Sequence, residues 1–131
     1  MRDARHWALA HLPPARPSVV LHGDLLGQNI LLSPSEPPTV IDWEYARYGD
    51  PAYDLAIVTR GIKRPFQIVD GLVRLLDAYH GHGGCEVTAD HVHVHELCML
   101  AGWYRTALKE RGEFAADQEL DRLRALLRRL H

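Results

Sequence analysis

Cysteine is nearly absent from this 131-residue chain. Cys85 and Cys98 are too few for a disulfide framework and read as free, mostly structural thiols in a reducing compartment. Long apolar runs are missing too: none approaches the roughly 18–20 residues of a membrane span. The N-terminal stretch MRDARHWALAHLPPARP carries charges and histidine where a signal peptide needs an apolar segment. The expectation is a cytoplasmic protein with no membrane partner. There is no excess of positive charge, since the formal net charge is −2, so no basic field is offered to nucleic acid. No internal repeat is visible. What remains is an ordinary globular composition, 47% hydrophobic and 24% charged, of a length that suits one domain over residues 1–131.

The apolar pattern predicts a short helix over residues 3–12, ended by Pro13-Pro14. Three brief strands follow, at 18–21, 30–32 and 39–41, with the SPSEPP run of 33–38 as a turn between the last two. Strands this short read as a small sheet that holds loops. After Gly49 the pattern turns helical: Asp50-Pro51 starts one helix, with Asp50 as a cap. Ile68, Leu72, Leu75, Leu76 and Tyr79 mark a second. A third, capped by Thr88, carries Leu97, Leu100, Ala101, Tyr104 and Leu108 and breaks at Gly112; a last amphipathic one carries Leu120, Leu123, Leu127 and Leu130. The fold class is α+β, mostly α, with a small β insert.

That insert holds costly polar groups between apolar runs. In VVLHGDLLGQNILL (19–32), His22, Asp24 and Asn29 interrupt β-branched and leucine-rich sequence, and VIDWE places Asp42 at the end of the next strand. A solvated hairpin would explain the glycines and turn-forming residues alone. Taken as a set, however, Asp24, Asn29 and Asp42 are oxygen donors of the kind Mg²⁺ takes, alongside substrate phosphates. A carboxylate held slightly apart can accept a proton from a hydroxyl. From His22 to Asp54 six acids (Asp24, Glu36, Asp42, Glu44, Asp50, Asp54) face one base, Arg47, a balance that suits metal ions and cationic substrates.

The order and spacing match the phosphoryl-transfer pattern of a loop H-x-D-x-x-x-x-N followed, after a strand, by a metal-binding Asp. The loop reads HGDLLGQN, and Asp42 lies thirteen residues beyond Asn29. With GDPAYDLA at 49–56, the chain resembles the aminoglycoside phosphotransferase and choline kinase superfamily of small-molecule kinases. His-Gly-Asp for His-Arg-Asp and Asp-Trp-Glu for Asp-Phe-Gly separate it from protein kinases. The resemblance implies a kinase-like C-terminal lobe that transfers a phosphoryl group from ATP, with Mg²⁺, to a small-molecule hydroxyl. It makes Asp24 the catalytic carboxylate, Asn29 and Asp42 the Mg²⁺ ligands, and His22 and Asp54 the residues that scaffold and brace the loop. Glu44 is a candidate for the acceptor side, and acceptors of such kinases are often cationic. Trp43 and Tyr45 read as packing.

The resemblance also implies an N-terminal lobe with a phosphate-covering loop and a lysine, for which the 21 residues ahead of the loop leave no room. The two lysines, Lys63 and Lys109, both follow Asp42, and no G-x-G-x-x-G occurs. The expectation is a C-terminal lobe alone: folded, weak or inactive as a kinase, with an exposed apolar surface suited to self-association. Two alternatives stand beside it. One is a non-catalytic lobe that serves as an interaction module. The other is a zinc-binding module built on HGHGGCEVTADHVHVHELC, where His91 and His95 share a helical face although no familiar zinc spacing is present.

Overall fold

Helix signals in the sequence are strong at both ends of the chain, and in the computed structural model both ends are helical. Residues 2–60, 66 and 68–130 are described; Lys63 lies outside them. The described chain is α+β and mostly helical, and it divides into two compact units, Met1–Pro13 with His93–His131, and Pro14–Val92.

The first unit contains α1 (Arg2–Ala10), most of α4 (Ala89–Glu110) and α5 (Glu113–Leu130). Ala4 and Trp7, then Val94, Leu97 and Leu100, then Leu123 and Leu126 recur at a spacing of three, so each helix turns one stripe inward. Together they form one buried cluster. Leu108, at the end of the α4 stripe, is exposed instead. Gly112, at φ +83°, takes the left-handed turn that separates α4 from α5.

The second unit holds the β insert, α2 (Ala52–Ile57), α3 (Gly71–Gly81) and the start of α4. The strands form two separate antiparallel ribbons rather than the single sheet expected. β1 (Val19–Leu21) pairs with β4 (Arg47–Gly49), and β2 (Ile30–Leu31) with β3 (Thr39–Val40). β4 was not expected, because Arg-Tyr-Gly carries no apolar alternation. At Gly49, which ends it, a Cβ would press to 2.7 Å from a Leu21 methyl. α2 is capped as expected: Asp50 Oδ1 accepts the Ala52 N–H at 2.9 Å. Four of its six residues, Ala52, Leu55, Ala56 and Ile57, are buried. α3 starts later than the apolar spacing suggested. Asp70 adopts φ +59°, and at Gly71 a side chain would overlap the Phe66 carbonyl, so Ile68 lies outside the helix and is exposed. Thr88 caps α4, its Oγ accepting the His91 N–H at 3.3 Å.

Candidate functional site

The loop that follows β1 is held by its own polar groups. His22 is buried, and its imidazole is fixed at both nitrogens: Nε2–H donates to the Ile41 carbonyl at 2.8 Å, while Nδ1 accepts the Asp24 N–H at 3.2 Å. Both contacts require the neutral ring with its hydrogen on Nε2. Asp54, in the first turn of α2, supports the loop from the other side. One oxygen accepts the His22 N–H at 2.6 Å and the other the Gly23 N–H at 3.0 Å. Gly23 has φ +84°, and a Cβ there would overlap the Tyr45 carbonyl, so glycine is the residue the loop requires.

Asn29 closes the loop. It is buried, and its amide nitrogen donates to the Asp24 carbonyl at 2.9 Å and to Asp24 Oδ2 at 3.1 Å. The amide oxygen is thereby the Asn29 side-chain atom left for another partner. Its carbonyl accepts the Ile41 N–H at 3.0 Å. Ile41 is thus bonded to both His22 and Asn29, and the next residue, Asp42, begins its turn from the edge of the loop. Asp42 is exposed and left-handed at φ 68°, ψ 59°, a conformation that aspartate tolerates better than most residues. The Trp43 indole N–H reaches back across this turn to the Val40 carbonyl at 3.0 Å, and its ring tilts against His22 at 4.7 Å.

Electrostatics link the carboxylates. The Tyr45 hydroxyl is raised above its usual range chiefly by Glu44, through charge and hydrogen bonding, and further by the charges of Asp24 and Asp42. A single hydroxyl therefore senses the acids of the loop and of the turn. Asp50 is the helix cap expected of it, and is also ion-paired with Arg16 at 3.7 Å.

The histidine-rich segment is engaged differently. His80 Nε2 accepts the Val87 N–H at 3.2 Å, His82 Nδ1–H donates to the Ala78 carbonyl at 2.7 Å, and His93 pairs with Glu96 at 2.8 Å. Cys85 and Cys98 are free and exposed. Among the described residues no group of three or more His, Cys, Asp or Glu side chains is placed to hold a metal ion. These histidines bond to a carbonyl, an N–H and a carboxylate of their own surroundings.

The model of the phosphotransferase enzyme family matches residues 1–90, which include the loop, the Asp42 turn and α2. The chain belongs to the phosphotransferase enzyme family. No curated protein matches it. The family match spans every site residue named from the sequence: His22, Asp24, Asn29, Asp42, Glu44 and Asp54. Sequence reasoning missed Ile41, whose backbone joins loop to turn, because a backbone contact leaves no mark on residue type. It missed Arg16 as well, an arginine in a proline-flanked stretch with no motif around it. Among the described residues no helix is long and apolar enough to cross a membrane.

Proposed function

We propose that this phosphotransferase-family chain carries the acceptor- and metal-binding half of a small-molecule kinase site, in a kinase-like C-terminal lobe. The observation that supports this reading is the Asp24–Asn29 pair at 3.1 Å, with the Asn29 carbonyl accepting at 3.0 Å the N–H of Ile41, the residue before an exposed, left-handed Asp42. Asp24 is the carboxylate that orients a substrate hydroxyl and takes its proton as the oxygen attacks. Asn29 Oδ1 and a carboxylate oxygen of Asp42 are hard donors that fit Mg²⁺, which needs few protein ligands and completes its shell with water and phosphate. Bound there, the ion supplies charge neutralisation to the ATP phosphates. Asp54 and His22 hold the loop so that Asp24 need not reorganise when the hydroxyl arrives. Glu44, whose charge acts on Tyr45, is the candidate for the acceptor side, where it would suit a cationic acceptor.

The test has two arms. Coupled turnover of Mg-ATP over a panel of hydroxyl acceptors, amines included, with a family N-terminal lobe supplied, should yield phosphorylated product, and Asp24→Asn should lower kcat by about 10²–10⁴-fold with little change in KM. Mn²⁺ titrated into ¹⁵N-labelled protein should broaden the resonances of Asn29 and its neighbours, and Asp42→Asn should remove that broadening. Turnover unaffected by Asp24→Asn, or Mn²⁺ broadening elsewhere only, overturns the assignment.

A further inference from the structure

Arg16 is heavily engaged outside the loop, and nothing in the phosphotransfer reading uses it. Its side chain is only 10% exposed. A guanidinium this buried needs partners for its charge and its N–H groups. It finds three, on three segments. Nη1 donates to the Glu86 carbonyl at 2.6 Å, Nη2 meets His91 Nδ1 at 2.8 Å, and Nε lies 3.7 Å from Asp50 Oδ2. Asp50 caps α2 with its other oxygen, and α2 carries the Asp54 carboxylate that binds the His22 and Gly23 N–H groups. A continuous set of polar contacts therefore runs from the first turn of α4, through Arg16 and Asp50, into α2 and the loop.

His91 is the titratable end of this set. Thr88 is the N-cap of α4 and His91 stands three residues on, so the pair forms a reciprocal cap with histidine in the place usually taken by Glu or Gln. Thr88 Oγ accepts the His91 N–H at 3.3 Å, and His91 Nδ1 accepts the Thr88 N–H at 3.2 Å. Nδ1 thus serves two donors, Thr88 and Arg16, and can do so only in the neutral ring with hydrogen on Nε2. A proton taken from solvent at Nδ1 converts that acceptor into a donor, facing a backbone N–H and an arginine cation at the positive end of a helix. Burial and Arg16, in that order, hold His91 below its ordinary range, against the opposing charges of Asp50, Asp90 and Glu86.

We propose that Arg16 is a positioning residue for the loop carrying Asp24, tying the start of α4 to the cap of α2, and that protonation of His91 releases the tie. Above the His91 midpoint the guanidinium is shared among Glu86, His91 and Asp50. Below it, the imidazolium repels Arg16 and the reciprocal cap opens, so α2 and its Asp54 lose a fixed neighbour. The tie depends on the phosphotransferase reading only for what the loop does; its test observes the loop without nucleotide or acceptor.

The experiment is a ¹⁵N and ¹³C NMR pH titration of the intact chain, following the histidine rings and the amides of His22 and Gly23. In the unsubstituted protein both amides should shift with an inflection at the midpoint of the His91 ring. In His91→Gln, which keeps a neutral acceptor, that inflection should vanish. Asp50→Asn keeps the oxygen that caps Ala52 but removes the charge facing Arg16; there His91 should still titrate while the amide shift at its midpoint is lost. Absence of the His91 inflection from His22 and Gly23 in the folded unsubstituted protein overturns the proposal. So does its full retention in Asp50→Asn. A purely structural role for Arg16 predicts lower stability in these variants but no amide shift at the His91 midpoint.

Discussion

A carboxylate that accepts two consecutive backbone N–H groups cannot be replaced by its amide without conflict. Asp54 offers one oxygen each to His22 and Gly23, whereas asparagine offers one oxygen and one N–H donor. Asp54→Asn therefore sets a donor against a donor and removes a charge-assisted bond, at a cost of about 2–3 kcal/mol. Urea denaturation should show the midpoint fall with an unchanged slope. Any phosphotransfer should fall with it, because Asp24 sits on the loop that has been loosened. At this scale the sequence was informative wherever chemistry is spaced along the chain: His22, Asp24, Asn29 and Asp42 lie within 21 residues of one another. Arg16 was not legible, since its hydrogen-bond partners Glu86 and His91 stand 70 and 75 residues away and it carries no motif.

Elements were legible in proportion to how much of their stability is local. α4 and α5 announce themselves through apolar stripes and through Thr88 and Gly112 at their ends. β4 does not, because three residues paired to β1 owe their conformation to that partner. The start of α3 was misplaced for a similar reason: Asp70 and Gly71 adopt a turn that helical spacing alone does not reveal. For the helical unit the stripes give a direct expectation. Leu100, 1% exposed within the cluster of α1, α4 and α5, should cost about 2–5 kcal/mol when cut to alanine, through lost burial and the cavity left behind. Leu108 is 47% exposed, and its truncation should change stability by less than about 0.5 kcal/mol. Thermal or chemical denaturation of the two variants side by side tests whether the spacing or the burial governs.

For the whole chain, stability should respond to acid through His91. In the unfolded chain it titrates near 6.5, and in the folded one lower, so the unfolded state binds the proton more readily. Its contribution is flat above about pH 6.5 and is lost as pH falls from there through the folded midpoint. Denaturation midpoints compared between the unsubstituted protein and His91→Gln should coincide in slope above neutrality and diverge below it, with the variant less acid-sensitive. Equal acid sensitivity in the two would show that other groups control the response.

Association is the other property of the whole molecule on which the sequence and structure bear. The ribbon β1–β4 sets Val20 opposite Tyr48, and these are 62% and 78% exposed, so an apolar cross-strand pair faces outward. Leu32, at 78% exposure, and Trp43, at 52%, add apolar surface within the same unit. A net charge of only −2 on 131 residues supplies little repulsion between copies. Outward apolar surface on short ribbons with weak electrostatic repulsion favours pairing with a second copy of the chain. Sedimentation velocity over a wide concentration range should show a reversible shift toward dimer. Replacing Val20 and Tyr48 together with threonine, which keeps the strand preference and removes most of the apolar area, should move that shift to higher concentration. A strict monomer at every concentration, before and after the substitutions, would mean that this surface is solvated without consequence.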